Sequence, residues 1–384
     1  MIIKNSSDPL KLIIVVIAAL AAALMQFAWV SAALIPTAIM LFIFSLYRSS
    51  RYTLITPRKM PFFYICCIWF VCHFLFLYDF SKSNARDHVE LFGVLINVIF
   101  FAYFSRTYAN RALSGSLYVF FVLVAVFHLL QDLIIGGGEN KQVYAYTFFV
   151  VLPFLVVGMG FNRRKIIQIL FLFSILQLLY FVNRVPALSI MLILIVYYFW
   201  GWISQSRWLY VVMLTLFFFI IILSPYLYVG GDISYADELS RHYFNKGIDG
   251  RMSIWPDIIE NIYSDTWFGK CSNCSTEYYL NSLGTRNLSS HNTFLELTFR
   301  VGVVGVLPFV LMLFSLLIHF YRLRHRKASQ FGAAYLIGAI VFMSSNEFSM
   351  TQTFTSNLLF WCGLGLLYGR SNSSFQVPES EKMC

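Results

Sequence analysis

Residues 289–302 read SSHNTFLELTFRVG and bring His291, Asn292, Glu296 and Arg300 into one short stretch. A histidine with a near-neutral pKa can take a proton from a hydroxyl. Glu296 and Arg300 stand at i and i+4, in the order that lets them neutralise each other on one helix face. Two more arginines occupy conspicuous places, Arg184 in FVNRVPAL and Arg251 in GIDGRMSIW. Guanidinium forks bind phosphates bidentately without needing a metal. Two arginines and a histidine therefore suit displacement of a diphosphate leaving group by an activated sugar hydroxyl. No dense Asp/Glu cluster marks a divalent-cation site, so the simpler expectation is transfer with neither metal nor cofactor. Each residue also has a plain reading. His291 fits a surface residue before a capped helix, Arg184 a snorkelling arginine at a membrane interface, and Arg251 an exposed arginine.

The elements that must position these residues follow from local pattern. Thr293-x-x-Glu296 matches a capping box, which starts a helix at Thr293 and leaves His291 and Asn292 just before it. Phe294, Leu295, Leu297 and Phe299 then suggest an amphipathic segment lying near a membrane surface, with Gly302 and Gly305 permitting a bend or close packing before the next apolar run. Arg251 precedes a second amphipathic pattern, Ile254, Trp255, Ile258, Ile259 and Ile262, and Gly250 suits its entry turn. Arg184 stands in a very short turn between two apolar runs. Facing lipid it would cost on the order of several kcal/mol, so it should meet a wet cavity or an anion unless it snorkels.

The chain as a whole is 59% hydrophobic and 12% charged over 384 residues, too little polarity to coat a globular surface. Many segments approach the ~20 apolar residues that cross a bilayer. The expectation is an all-α polytopic membrane protein with about twelve spans, at 10–30, 32–47, 60–78, 89–104, 113–131, 143–161, 166–182, 186–203, 208–228, 301–321, 331–346 and 353–369. The first span lacks a small-residue cleavage site and should be retained.

Basic residues set the orientation. Arg48, Arg51, Arg58, Lys59, Arg106, Arg111, Arg163, Arg164, Lys165, Arg207, Arg322, Arg324, Arg326 and Lys327 fall on the side of the termini, with Lys4, Lys11, Arg370 and Lys382 in the tails. That side should be cytoplasmic, and the net charge of +10 then reflects topology rather than nucleic-acid binding. One integral membrane domain, 1–384, would carry a long outer loop at 229–290 and a cytoplasmic tail at 370–384. In the loop Asp232, Asp237, Glu238, Asp249, Asp257, Glu260, Asp265 and Glu277 outnumber Arg241, Lys246, Arg251, Lys270 and Arg286. Cys271 and Cys274 form a C-x-x-C there. Two ligands do not make a tetrahedral zinc site, so a local disulfide is favoured in an oxidising compartment. Cys66, Cys67, Cys72 and Cys362 read as small buried residues within spans.

The segments GRMSIWPDIIENIYSDTWFGK and SSHNTFLELTFRVGVVG, with the arginine of NRVPAL, resemble the bacterial O-antigen ligase and polymerase superfamily. The likeness is strongest over about 180–310. It implies a GT-C-like, all-helical membrane glycosyltransferase at the periplasmic face of the bacterial inner membrane. The donor would be a glycan on undecaprenyl diphosphate, and the transfer inverting and metal-independent. By the same resemblance His291 matches the general base, and Arg184 and Arg251 match the diphosphate-binding arginines. Asn292, Glu296 and Arg300 would be supporting members of the substrate site. A polymerase would extend another lipid-linked repeat, with a chain-length regulator as an open further partner, whereas a ligase would use lipid A core. The net negative loop disfavours a phosphate-rich acceptor, so polymerase is the preferred expectation and ligase the alternative. A flippase or transporter without chemistry is the second alternative, against which the conspicuous polar residues fall at the rim rather than the midplane.

Overall fold

A computed structural model describes residues 61–79, 97–105, 118–119, 122–123, 141–176, 184–230, 249–274, 290–344 and 354–372. They form helices α1 (Pro61–Phe76), α2 (Lys141–Gly158), α3 (Arg163–Leu176), α4 (Arg184–Tyr198), α5 (Trp200–Ile203), α6 (Arg207–Gly230), α7 (Asp249–Ser264), α8 (Thr293–Arg322), α9 (Lys327–Met343) and α10 (Phe354–Asn372). Residues 97–105 are also helical, and no strand occurs among the described residues.

Among the described residues the all-helical expectation holds, whereas the count of about twelve spans is not confirmed. Among the described residues two helices are both long and apolar enough to cross a membrane, Arg207–Tyr226 of α6 and Thr293–Arg322 of α8. Twenty residues rise ~30 Å, about one hydrocarbon thickness. Pro61–Phe76, Phe148–Gly158, Val185–Tyr198 and Lys327–Met343 are apolar but shorter. The expected spans 10–30 and 32–47 lie outside the described residues, as does most of 113–131.

α8 is the central helix and packs on α1, α6, α7 and α9. Beyond residue 302 it does so through one stripe, with Val306, Phe309, Met312, Leu313, Leu316, Leu317 and Phe320 buried. That spacing is the helical repeat of an apolar face. Phe309 meets Phe70 of α1 and Phe314 meets Phe218 of α6. The Tyr210 hydroxyl donates to the Leu317 carbonyl at 3.2 Å, so α6 runs antiparallel to this half of α8. α4 and α9 are likewise antiparallel, with Tyr197 against Phe331 at one end and Ile193 packed on Gly338 further along.

This pairing gives the bundle two distinct ends. At one end Arg163 donates to the Tyr198 carbonyl, Trp200 to the Arg324 carbonyl, and Arg326 to the Ser371 carbonyl. Arg164, Lys165, Arg207, Arg322 and Lys327 belong to the same end. Every acid among the described residues lies at the opposite end, namely Asp79, Asp249, Asp257, Glu260, Asp265 and Glu296. His291 is at that second end.

Candidate functional site

The site is built around an interruption of α8. Gly302 has φ 63° and ψ −174°, a conformation that a side chain would make costly. Next to it in space, Gly269 has φ 76°. A Cβ on Gly302 would lie 2.3 Å from the Trp267 carbonyl oxygen, and one on Gly269 would lie 2.6 Å from that of Arg300. The two main chains are therefore in direct contact, and they exchange hydrogen bonds. Lys270 N donates to Phe299 O at 3.0 Å, Val303 N to Thr266 O at 2.9 Å, and Val304 N to Trp267 O at 3.1 Å. From α1, His73 Nε2 donates to Val301 O at 2.9 Å. Peptide groups that lose helical partners at the break thus regain them, as buried backbone requires.

The start of α8 is capped differently from the sequence pattern. Asn292, not Thr293, is the cap residue, and its Oδ1 accepts from Phe294 N at 2.9 Å and Leu295 N at 3.0 Å. Asparagine fills this role as well as any residue, because its short amide reaches the first free N–H groups. Its Nδ2 donates to Ser344 O at 2.7 Å, tying the cap to the end of α9. Glu296 is consequently not the reciprocal member of a capping box. Its carboxylate faces Arg300, with Arg300 Nε 3.3 Å from Oε1, as the i, i+4 spacing anticipates.

The environment of that pair corrects a second expectation. Residues 293–302 are buried on every side, Glu296 at 0% and Arg300 at 2% exposure, so the segment does not lie amphipathically on a surface. Leu295 and Phe299 instead pack into a cluster with Ile254, Trp255, Ile258, Ile259 and Ile262 of α7. The periodic face read from those five residues is therefore the face that α7 buries. α7 begins at Asp249, which puts Gly250 and Arg251 inside its first turn rather than before it.

His291 is the exposed residue between buried Ser290 and buried Asn292. It has φ 48°, a left-handed conformation that costs a non-glycine residue about 1–3 kcal/mol and persists only where its surroundings impose it. Here they do. The Trp255 indole donates to Ser290 O at 2.8 Å on one side, and Asn292 is held by its cap and by Ser344 on the other. Ser290 Oγ lies 3.2 Å from both Glu296 Oε2 and the Asn292 carbonyl, two acceptors for its proton.

The backbones of Arg184 and Arg251 lie at the same end of the bundle as His291. Arg184 is the first residue of α4, whose antiparallel neighbour α9 ends at Ser344, the acceptor of Asn292. Arg251 is one helical turn before Trp255, the donor to Ser290.

Cys271 and Cys274 are joined in a disulfide with Cα atoms 5.1 Å apart, as favoured from their spacing. The pair closes a small loop that docks on the segment just after α1. Ser272 N donates to Leu77 O at 3.1 Å, and Asn273 exchanges two bonds with the Asp79 main chain at 3.0 and 2.9 Å. Arg300 Nε reaches the Cys274 carbonyl at 3.4 Å, so the loop also touches the buried ion pair. Upstream, Lys270 forms an ion pair with Asp265, and its hydrogen bond is the main cause holding that carboxyl below the usual range. Cys66, Cys67 and Cys362 are buried as expected. Cys72 is exposed, because it faces away from the helices that cover its neighbours.

Ser290, Trp255, Ser344, His73 and Gly269 escaped the sequence reading as parts of this site. Gly269 alone carried a local signal, a glycine directly after the aromatic pair of TWFGK. Trp255, Ser344 and His73 act through partners far away in sequence, which no local spacing reveals.

Residues 148–310 match the family model described as O-antigen ligase, and the match includes Arg184, Arg251, His291, Asn292, Glu296 and Arg300. No curated protein matches the chain. The matched region runs from within α2 through the capped and broken start of α8, and it leaves His73 and Ser344 outside. Over this stretch the chain is similar to the O-antigen ligase and polymerase superfamily, whose members are membrane glycosyltransferase-like enzymes.

Proposed function

We propose that the chain is a surface-polysaccharide polymerase that joins undecaprenyl-diphosphate-linked repeat units at the periplasmic face of the bacterial inner membrane. The observation that carries this reading is the gathering of His291 with the backbones of Arg184 and Arg251 at one end of the bundle, inside the family match. In the reaction, the His291 imidazole takes the proton of an acceptor sugar hydroxyl. The hydroxyl oxygen bonds to the anomeric carbon of the donor as the bond from that carbon to the diphosphate oxygen breaks. Attack opposite the leaving group inverts the centre. Charge grows on the departing diphosphate, where the guanidinium groups of Arg184 and Arg251 stabilise it. Asn292, Glu296 and Arg300 serve this chemistry from behind, since all three are buried in the wall that holds His291. The basic end of the bundle would face the cytoplasm.

Transfer to lipid A core is the second reading, favoured by the description of the matching family as O-antigen ligase. The excess of acids over bases in 229–290 favours the polymerase, because an acidic loop repels a phosphate-rich acceptor. Reconstitution with an undecaprenyl-diphosphate-linked repeat unit separates the two. A ladder of lengthened glycan without lipid A core supports the polymerase. A product formed only when lipid A core is supplied establishes the ligase. No new glycosidic product with either acceptor would overturn both.

A further inference from the structure

We propose that the buried chain Ser290–Glu296–Arg300 is a positioning device for His291, anchored at its far end on the disulfide loop. The inference rests on the assignment of His291 as the base. A buried ion pair is a poor way to stabilise a fold, because desolvation offsets most of its attraction. Glu296 and Arg300 are nevertheless among the most completely enclosed polar residues of the site. Their contacts lead somewhere definite. Glu296 Oε2 is 3.2 Å from Ser290 Oγ, and Ser290 is the residue directly before His291. Arg300 Nε donates to the Cys274 carbonyl and pairs with Glu296, 3.3 Å from its Oε1. The loop closed by Cys271 and Cys274 is in turn fixed to the segment that follows α1, through Leu77 and Asp79.

Ser290 is therefore held twice, by its carbonyl from α7 and by its hydroxyl from α8. Both holds bear on the peptide that enters His291, the residue with the left-handed backbone. A single anchor would let that peptide rotate and swing the imidazole away from the acceptor hydroxyl. Base catalysis demands hydrogen-bond reach, and small misplacements are costly. The role is positional, since neither charged side chain reaches the surface.

The test is turnover of an undecaprenyl-diphosphate-linked glycan by purified full-length protein, with kcat and donor KM measured separately. Ser290→Ala removes the link without stranding a charge. It should keep its membrane level and KM while losing about tenfold in kcat, the scale of one hydrogen bond. The paired variant Glu296→Leu with Arg300→Met removes both charges together. It should accumulate better than Arg300→Met alone and still turn over about a hundredfold more slowly than wild type. Wild-type kcat in Ser290→Ala, or in a well-folded paired variant, would overturn the proposal. If the paired variant does not accumulate, Ser290→Ala decides. His291→Ala is run alongside: full turnover there means that the base assignment has failed, whereas loss there with normal Ser290→Ala means that only the positioning role has failed.

Discussion

The two halves of α8, before and after Gly302, are parts of one helix with opposite surroundings. After the break the helix buries a single stripe and leaves Val303 and Leu307 exposed. Before it, every residue from Thr293 to Val301 is buried, polar and apolar alike. The second half is an ordinary apolar helix whose stripe meets α1, α6 and α9. The first half is enclosed by α7, the 266–270 turn, the disulfide loop and the end of α9. Enclosure on all sides makes it a fixed platform, and the capped end of that platform presents His291.

The contrast breaks most severely at the joint. Gly302→Val should abolish accumulation of folded protein, because the new Cβ would collide with the Trp267 carbonyl and the backbone would have to leave its left-handed φ. The two effects together should cost ~3 kcal/mol or more, read as membrane protein level and thermal unfolding in detergent. Leu307→Ala, on the exposed side of the second half, should change neither measurement.

The next largest effect belongs to the first half. Arg300→Met leaves Glu296 buried beside an apolar side chain and should destabilise by ~3 kcal/mol. An unchanged melting temperature would mean that water reaches Glu296 and that the platform is not closed. Asn292→Ala should be milder, ~1–2 kcal/mol, since it removes a cap and the bond to Ser344. Asn292→Ser should recover most of the cap and not the Ser344 bond.

The smallest effect is expected at the edge of the platform. The folded pKa of Asp265 is depressed by Lys270, so the pair contributes stability above the unfolded aspartate value of ~3.9 and loses it as pH falls through the lower folded value. Both side chains are partly exposed, and solvent screening limits the effect. Asp265→Asn should therefore leave stability at pH 7 within ~0.5 kcal/mol of wild type, with any difference vanishing in strong acid. A large loss would show that the ion pair, rather than the main-chain bonds of 266–270, secures the break.

The second half of α8 was legible in the sequence because a stripe repeats at helical spacing. The amphipathic face of α7 was legible for the same reason, and the Glu296–Arg300 contact followed from i, i+4 geometry. The first half was misread for a physical reason. Its mixture of polar and apolar residues looks amphipathic when the only neighbour imagined is a flat interface. The actual neighbours come from α7 and from residues 266–274 and 344, and they give polar side chains buried partners. The cap was misassigned because Asn292 and Thr293 are adjacent and both can cap. The backbone angle at Asn292 and its contact with Ser344 decide between them. A bend or close packing was expected at Gly302 and Gly305, and the break falls at Gly302; its partner Gly269 was not expected, because a clasp between two glycines distant in sequence leaves no periodic trace.

The central claim is that the enclosed half of α8 exists to hold His291 where it can deprotonate an acceptor hydroxyl. The most direct measurement is product formation by purified His291→Ala with an undecaprenyl-diphosphate-linked repeat unit, alongside its membrane level and melting temperature. General-base assistance contributes ~10²–10⁴ in rate, so turnover should fall by that factor while level and melting temperature stay at wild-type values. Long-chain product at the wild-type rate from a normally folded His291→Ala protein would contradict the account.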